Sequence, residues 1–343
     1  MMTPRELVRA TLEFRNKTER APRDLWTLPC AIDRYPEQYA RIVADYPADI
    51  VGSWAPLAEP TIRQGDPHKR GEYIDEFGCV FTNLVDGYIG EVKRPLIDVD
   101  DDDWDGVDRI HIPEEMLTFD PDFVNRACAS TDCFVRSGCC PRPFEQLQFI
   151  RGTEQLYMDL CDPPAKLREF MKKLHDFYCR WMLKWAKTDV DALQFMDDWG
   201  SQRSLLISPA MWEEYFKPMY RDYIDIAHSH GKKAFMHSDG YTLDIFPHMI
   251  ELGLDAINTQ IFCMGVDKLV PFRGKITFWG EMDRQHLLPH ASEDEIAARV
   301  REVYDKLWCD GGCIAQLEFG PGARPENVDR TFRTWDELTT PRS

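Results

Sequence analysis

The chain has 343 residues, 43% hydrophobic, 29% charged and 12% aromatic, which supplies a sizeable core and excludes disorder as a general description. Forty-one Lys and Arg stand against 59 Asp and Glu, a formal charge of −18 that excludes a surface built to neutralise nucleic-acid phosphates or anionic lipid. No stretch approaches the roughly 20 consecutive apolar residues of a membrane helix.

The opening residues, MMTPRELVRATLEFRNKTER, hold neither an h-region nor a cleavage site, so a cytoplasmic location is expected. The eleven scattered Cys fit reduced thiols buried as small apolar groups. LWTLPC (25–30) and DIVGSW (49–54) are the first candidate strands. GEYIDEFGCVFTNLVDGYIGEV (71–92) then alternates apolar and polar residues about Asp86-Gly87, the pattern of a β-hairpin. DVDDDDWD (98–105) lacks the glycine and terminal Glu of a calcium loop and is expected to be solvated. CFVRSG (133–138) is a third strand, and 163–188 is an amphipathic helix burying Leu167, Phe170, Leu174 and Phe177.

The second half is periodic. Strands at 191–200, 232–240, 255–260, 275–283 and 312–320 are separated by helical patterns at 211–231, 242–253 and 293–312. Ser208-Pro209 and the Ser292/Glu295 capping box start helices, while Gly231 and Gly253 fit the left-handed residue that ends them. Eight strands in all predict a single (β/α)8 TIM barrel over residues 1–343, with the hairpin region inserted between its second and third strands. A doubly wound sheet is the alternative, but no G-x-G-x-x-G follows any of these strands.

Polar residues end nearly every strand of the second half: Asp197, Asp198, His237, Asp239, Gln260, Glu281, Asp283, Gln316 and Glu318. A barrel would gather them at one mouth. Strand alternation puts His237 and Asp239 on one face, and likewise Gln316 and Glu318. The His237–Asp239 pair suits a metal site, an oriented acid or base, or a buried couple that stiffens the mouth. Of the adjacent Asp197 and Asp198, Asp198 is expected to enter the cavity and Asp197 to support the loop, with Trp199 as an aromatic wall or as packing over the rim. Gly240 would turn the chain tightly and expose an amide to an anionic ligand group. Glu281 could bind a metal, hold a cation, or donate a proton if burial raises its pKa. Cys139–Cys140 lacks metal-ligand spacing, His228 and His230 at a helix end are expected to be structural, and no G-x-S-x-G or H-E-x-x-H occurs.

The stretches DEFGCVF (75–81), 197–240, FPHMIELGLDAIN (246–258), ITFWGEMDRQHLLP (276–289) and GGCIAQ (311–316) together resemble the uroporphyrinogen decarboxylase superfamily. That resemblance implies a (β/α)8 barrel and either the haem-pathway decarboxylation or corrinoid-linked methyl transfer. The true decarboxylases carry an arginine-bearing RQAGRY-type segment near the first strand, where this chain has LWTLPCAIDRYP. The zinc-dependent thiol methyltransferases of the superfamily use His-x-Cys and a later Cys. Here His237 matches the His, Asp239 takes the Cys place, and Cys313 lies too early in its strand.

The reading that results is a methyltransferase acting on a small methylated substrate, with a corrinoid on a separate protein as acceptor and zinc or another divalent metal on His237, Asp239 and Glu281 or Glu318. Asp198, His237, Asp239 and Glu281 would be catalytic, and Trp199, Gln260, Asp283 and Gln316 would bind substrate. The alternatives are a divergent decarboxylase without metal or corrinoid and a noncatalytic small-molecule-binding barrel.

Overall fold

In chain order the strands of the computed structural model, which describes residues 2–17 and 19–340, are β1 (Arg23–Thr27), β2 (Ile50–Gly52), β3 (Gly71–Ile74), β4 (Val80–Asn83), β5 (Glu91–Arg94), β6 (Phe134–Arg136), β7 (Ala192–Met196), β8 (Lys233–Ser238), β9 (Ala256–Thr259), β10 (Thr277–Trp279) and β11 (Cys313–Phe319). Eight of them form a parallel sheet in the order β1-β11-β10-β9-β8-β7-β6-β2. At the remaining seam the Asp49 amide, just before β2, donates to the Arg23 carbonyl of β1 at 2.9 Å. The result is the expected (β/α)8 barrel with an insert. Among the described residues no helix is long and apolar enough to cross a membrane.

The insert is a three-stranded antiparallel sheet, β3-β4-β5, rather than one hairpin. Asp75 makes the first turn by accepting the Phe77 and Cys79 amides at 3.0 and 2.7 Å, while Asp86-Gly87 lies in the β4–β5 connection. The first strand begins two residues earlier than expected and stops at Thr27, because Pro29 already opens a short helix, Pro29–Arg34. The single helix expected over 211–231 divides into Pro209–Tyr215 and Lys217–Ser229. Pro218 has no N–H to continue the ladder, so the second helix starts around it. The predicted caps form: Ser208 Oγ accepts the Met211 amide, and Ser292 and Glu295 make a reciprocal capping box. The 163–188 helix spans Ala165–Ala186 and buries all four predicted residues.

Alternation along the strands decides what the barrel holds. Ile50, Phe134, Ala192, Phe235, Ala256, Trp279 and Ile314 meet inside it, and Val8 and Leu12 of the helix Pro4–Leu12 join them. Two residues beyond Phe134, Ala192, Phe235, Ala256 and Ile314 the inward positions become polar: Arg136, Gln194, His237, Asn258 and Gln316. One more step reaches Asp239 and Glu318. The apolar layer is thus the floor on which a polar mouth is built.

Candidate active site

His237 is at the centre of that mouth and 8% exposed. Its strand neighbour in register is Asn258, whose Oδ1 lies 2.6 Å from His237 Nδ1. The Asn258 amide nitrogen donates to the Trp279 carbonyl, which leaves Oδ1 as the acceptor. His237 therefore carries its proton on Nδ1 and, when neutral, presents the Nε2 lone pair to the cavity. Nε2 faces Asp198 Oδ1 at 3.6 Å and Asp239 Oδ1 at 3.7 Å. One ligand atom from each of Asp198, His237 and Asp239 falls within 4.8 Å of the others.

Asp198 follows the inward positions of β7, and Asp197 points the other way. Asp197 accepts the Phe144 and Glu145 amides at 3.0 and 2.8 Å and the Tyr220 hydroxyl at 2.5 Å, so it anchors the start of the helix Pro143–Arg151. Burial pushes its pKa up to about 8 against the pull of these donors. The pKa of Asp198 is also raised, first by burial, with His237 pulling it down.

Glu281 and Glu318 do not join His237. Arg284, which sequence reasoning missed, lies between them: its Nη1 is 3.4 Å from Glu281 Oε2 and from Glu318 Oε2, and its Nη2 pairs with Asp239 Oδ2. Three carboxylates share one guanidinium, and the third carboxylate grouped with His237 and Asp239 is Asp198, not Glu281 or Glu318. Of the roles open to Glu281, holding a cation is the one seen. Burial still raises its pKa to about 8, and its Oε1 has no hydrogen-bond partner.

Trp199 is not a cavity wall. It is fully buried, stacked on Phe144 at 4.2 Å between ring centroids, and its indole N–H donates to Tyr220. Leaving β7 with Asp198 inward turns the next side chain out into the helices. Gly240 lies hard against Gly200: a Cβ on Gly240 would lie 2.1 Å from the Gly200 carbonyl oxygen. This contact holds the ends of β7 and β8 together. Gln260 and Asp283 line a neighbouring pocket of about 200 Å³ that also touches Glu281 and Arg284. Asp283 spends one oxygen on the Gln285 and His286 amides. Gln316 is buried beneath Gly280, and both polar ends of its side chain lack a partner. Cys313 packs in the core outside the barrel, so no thiol replaces the missing Cys ligand. His228 pairs with Asp255 at 2.8 Å, a structural contact.

The mouth opens into a cavity of about 1200 Å³ lined by Asp198, His237, Asp239, Arg284 and Glu318, together with Trp26, Arg142 and Glu145. Trp26 pairs with Glu318 in register and its ring centroid is 5.3 Å from that of His237. Glu145 is pushed well above the usual carboxylate range by burial and then by Asp198, and its Oε2 is unpartnered. Arg142 and Glu145 follow the third barrel strand in CCPRPFEQ. Their position after a strand end was the available signal.

This is a barrel protein with an acidic, histidine-centred mouth of the kind that supports enzyme chemistry. The profile described as "Uroporphyrinogen decarboxylase (URO-D)" matches residues 89–338, and the chain belongs to that family. A methyltransferase from Methanosarcina mazei superposes with a TM-score of 0.68 at 12% identity, covering 98% of this chain and 99% of that one. A D-psicose 3-epimerase superposes at 0.42 with 10% identity over 66% of this chain and 86% of that one. No curated protein matches the sequence.

Proposed function

We propose that the protein moves a methyl group from the oxygen or nitrogen of a small substrate to a corrinoid carried by another protein. The observation that supports this best is the donor set at the mouth. His237 Nε2 and Asp198 Oδ1 converge with Asp239 Oδ1, a buried oxygen that lacks any hydrogen-bond partner. One nitrogen and two carboxylate oxygens fit zinc or another divalent cation and do not require a thiolate. A metal held by these three residues would polarise the heteroatom that gives up its methyl.

The chain's own groups complete the site. Asn258 fixes the His237 tautomer, and Arg284 keeps Asp239, Glu281 and Glu318 on one side of the cavity. Glu145, a carboxyl on the cavity wall whose pKa burial raises, can protonate a departing oxygen or nitrogen. The cavity leaves room for a small substrate. The methyltransferase that shares the fold over its whole length supports the reaction class. Against decarboxylation of a many-carboxylate substrate, the first strand offers Trp26 to the cavity, and the mouth is already rich in carboxylates.

The reading is tested by anaerobic incubation with a reduced corrinoid protein and a panel of methoxylated and N-methylated compounds, alongside porphyrinogens. Methylcobalt formation is expected with at least one methylated compound. Carbon dioxide release from porphyrinogen in its place would overturn the proposal. Protein purified without chelator should carry close to one divalent ion per chain, lost in H237A, and full turnover by metal-free protein would remove the metal from the scheme.

A further inference from the structure

Two arginines line the cavity, and they differ in their partners. Arg284 is held by three carboxylates. Arg142 has none: among the described residues no carboxylate forms an ion pair with its guanidinium and no group accepts a hydrogen bond from it, its acidic neighbours acting only at longer range. The nearby acids are otherwise engaged. Glu76 pairs with Arg63 at 3.0 Å, and Asp75 accepts the Phe77 and Cys79 amides and a Gln146 N–H. Glu145, on the same cavity wall, makes no ion pair with Arg142, and its Oε2 has no hydrogen-bond partner. A half-buried guanidinium with five free N–H donors is costly to leave unmatched, because it has surrendered part of its hydration without gaining a partner.

Aromatic side chains lie beside Arg142. Its guanidinium lies over the Phe149 ring at 5.2 Å, and Phe149 meets Phe81 edge-on at 5.0 Å. Phe81, Ile89 and Val92, from the inserted sheet and its β4–β5 connection, extend this wall of the cavity. The insert thus supplies the side of the cavity on which a ring can lie.

We propose that the substrate is an aryl carboxylate whose carboxylate docks on the Arg142 guanidinium while its ring packs against Phe149 and Phe81. Arg142 is then an anchor, and the methyl-bearing end is directed toward Asp198, His237 and Asp239. The choice of reacting end rests on the methyl-transfer reading; the anchoring does not. A planar guanidinium matches a carboxylate with two parallel hydrogen bonds, which a neutral amide or alcohol cannot reproduce.

The experiment measures calorimetric binding of 4-methoxybenzoate and of its neutral analogue 4-methoxybenzamide to the full chain at neutral pH, without corrinoid and with chelator present. The wild type should bind the benzoate about 10- to 100-fold more tightly than the benzamide, the range set by a charge-assisted pair. R142Q should abolish that preference by weakening the benzoate alone, and R142K should retain part of it. Circular dichroism of both variants checks that they fold. Equal binding of the two probes by wild type, an unchanged preference in R142Q, or no binding of either probe would overturn the proposal. Loss of the preference in R142Q together with absence of methyl transfer would instead refute the reaction and leave the anchor standing.

Discussion

Replacing Glu281 with Gln tests whether burial or Arg284 controls the charge at the mouth. Glu281 is 2% exposed, with one oxygen 3.4 Å from Arg284 and the other unpartnered. Burial is the larger influence and lifts its pKa from 4.5 to about 8. Below pH 4.5 the folded and unfolded chains both hold this proton. As pH rises toward 8 the unfolded chain releases it while the folded chain keeps it, so the native state binds more protons and stability falls. The interval from 4.5 to about 8, at about 1.4 kcal/mol for each tenfold change in proton affinity, sets a ceiling of about 5 kcal/mol. Relaxation around Arg284 brings the expected effect to about 1–3 kcal/mol. Gln keeps the shape without the titration. Urea unfolding with chelator present should therefore show E281Q gaining stability relative to wild type as pH is raised from 4.5 to 8.5, with the difference level above that. A wild type that instead gains on E281Q over the same interval would mean that Glu281 is ionised and paired with Arg284, and the reasoning would fail.

Asn258→Ala should free the His237 tautomer and weaken divalent-metal binding about 10- to 100-fold in a chelator-competition titration, whereas unchanged affinity would show that Asn258 does not orient the ring. Gly200→Ala would place a Cβ 2.2 Å from the Tyr241 nitrogen and 2.5 Å from the Gly240 carbonyl carbon. It should cost about 1–3 kcal/mol in urea unfolding, while Gly52→Ala, with nothing within 4 Å of its Cβ, serves as the control. Equal losses in the two variants would contradict the close approach of β7 and β8.

The barrel was legible because a period-2 pattern inside each strand and a polar residue at each strand end are local signals. Phe235, His237 and Asp239 follow that alternation to the mouth, as do Ala192, Gln194 and Asp198. The same rule stops where the strand stops, which is why it could not choose between wall and packing for Trp199: beyond the strand end the chain turns where Gly200 and Gly240 meet. Spacing also cannot say which carboxylate meets a cation. Arg284 lies only three residues after Glu281, yet it reaches Asp239 and Glu318 from distant strands and pairs with all three carboxylates. Arg142 and Glu145 follow a three-residue strand, β6, too short to show alternation. The long helix over 211–231 failed at Pro218, a breaker present in the sequence and outweighed there by the apolar period on either side.

The most direct test of the central claim is a single-turnover reaction in which wild type, H237A and D239A are mixed anaerobically with a methoxylated substrate and a cobalt(I) corrinoid protein. Cobalt(I) loss and methylcobalt formation are followed optically while released carbon dioxide is trapped from the same vessel. Wild type should form methylcobalt in proportion to demethylated product and release no carbon dioxide, and both variants should fold normally yet form none. Methylcobalt formation that persists in H237A and D239A would contradict the placement of the chemistry at this mouth, and carbon dioxide release without methylcobalt would contradict the reaction itself.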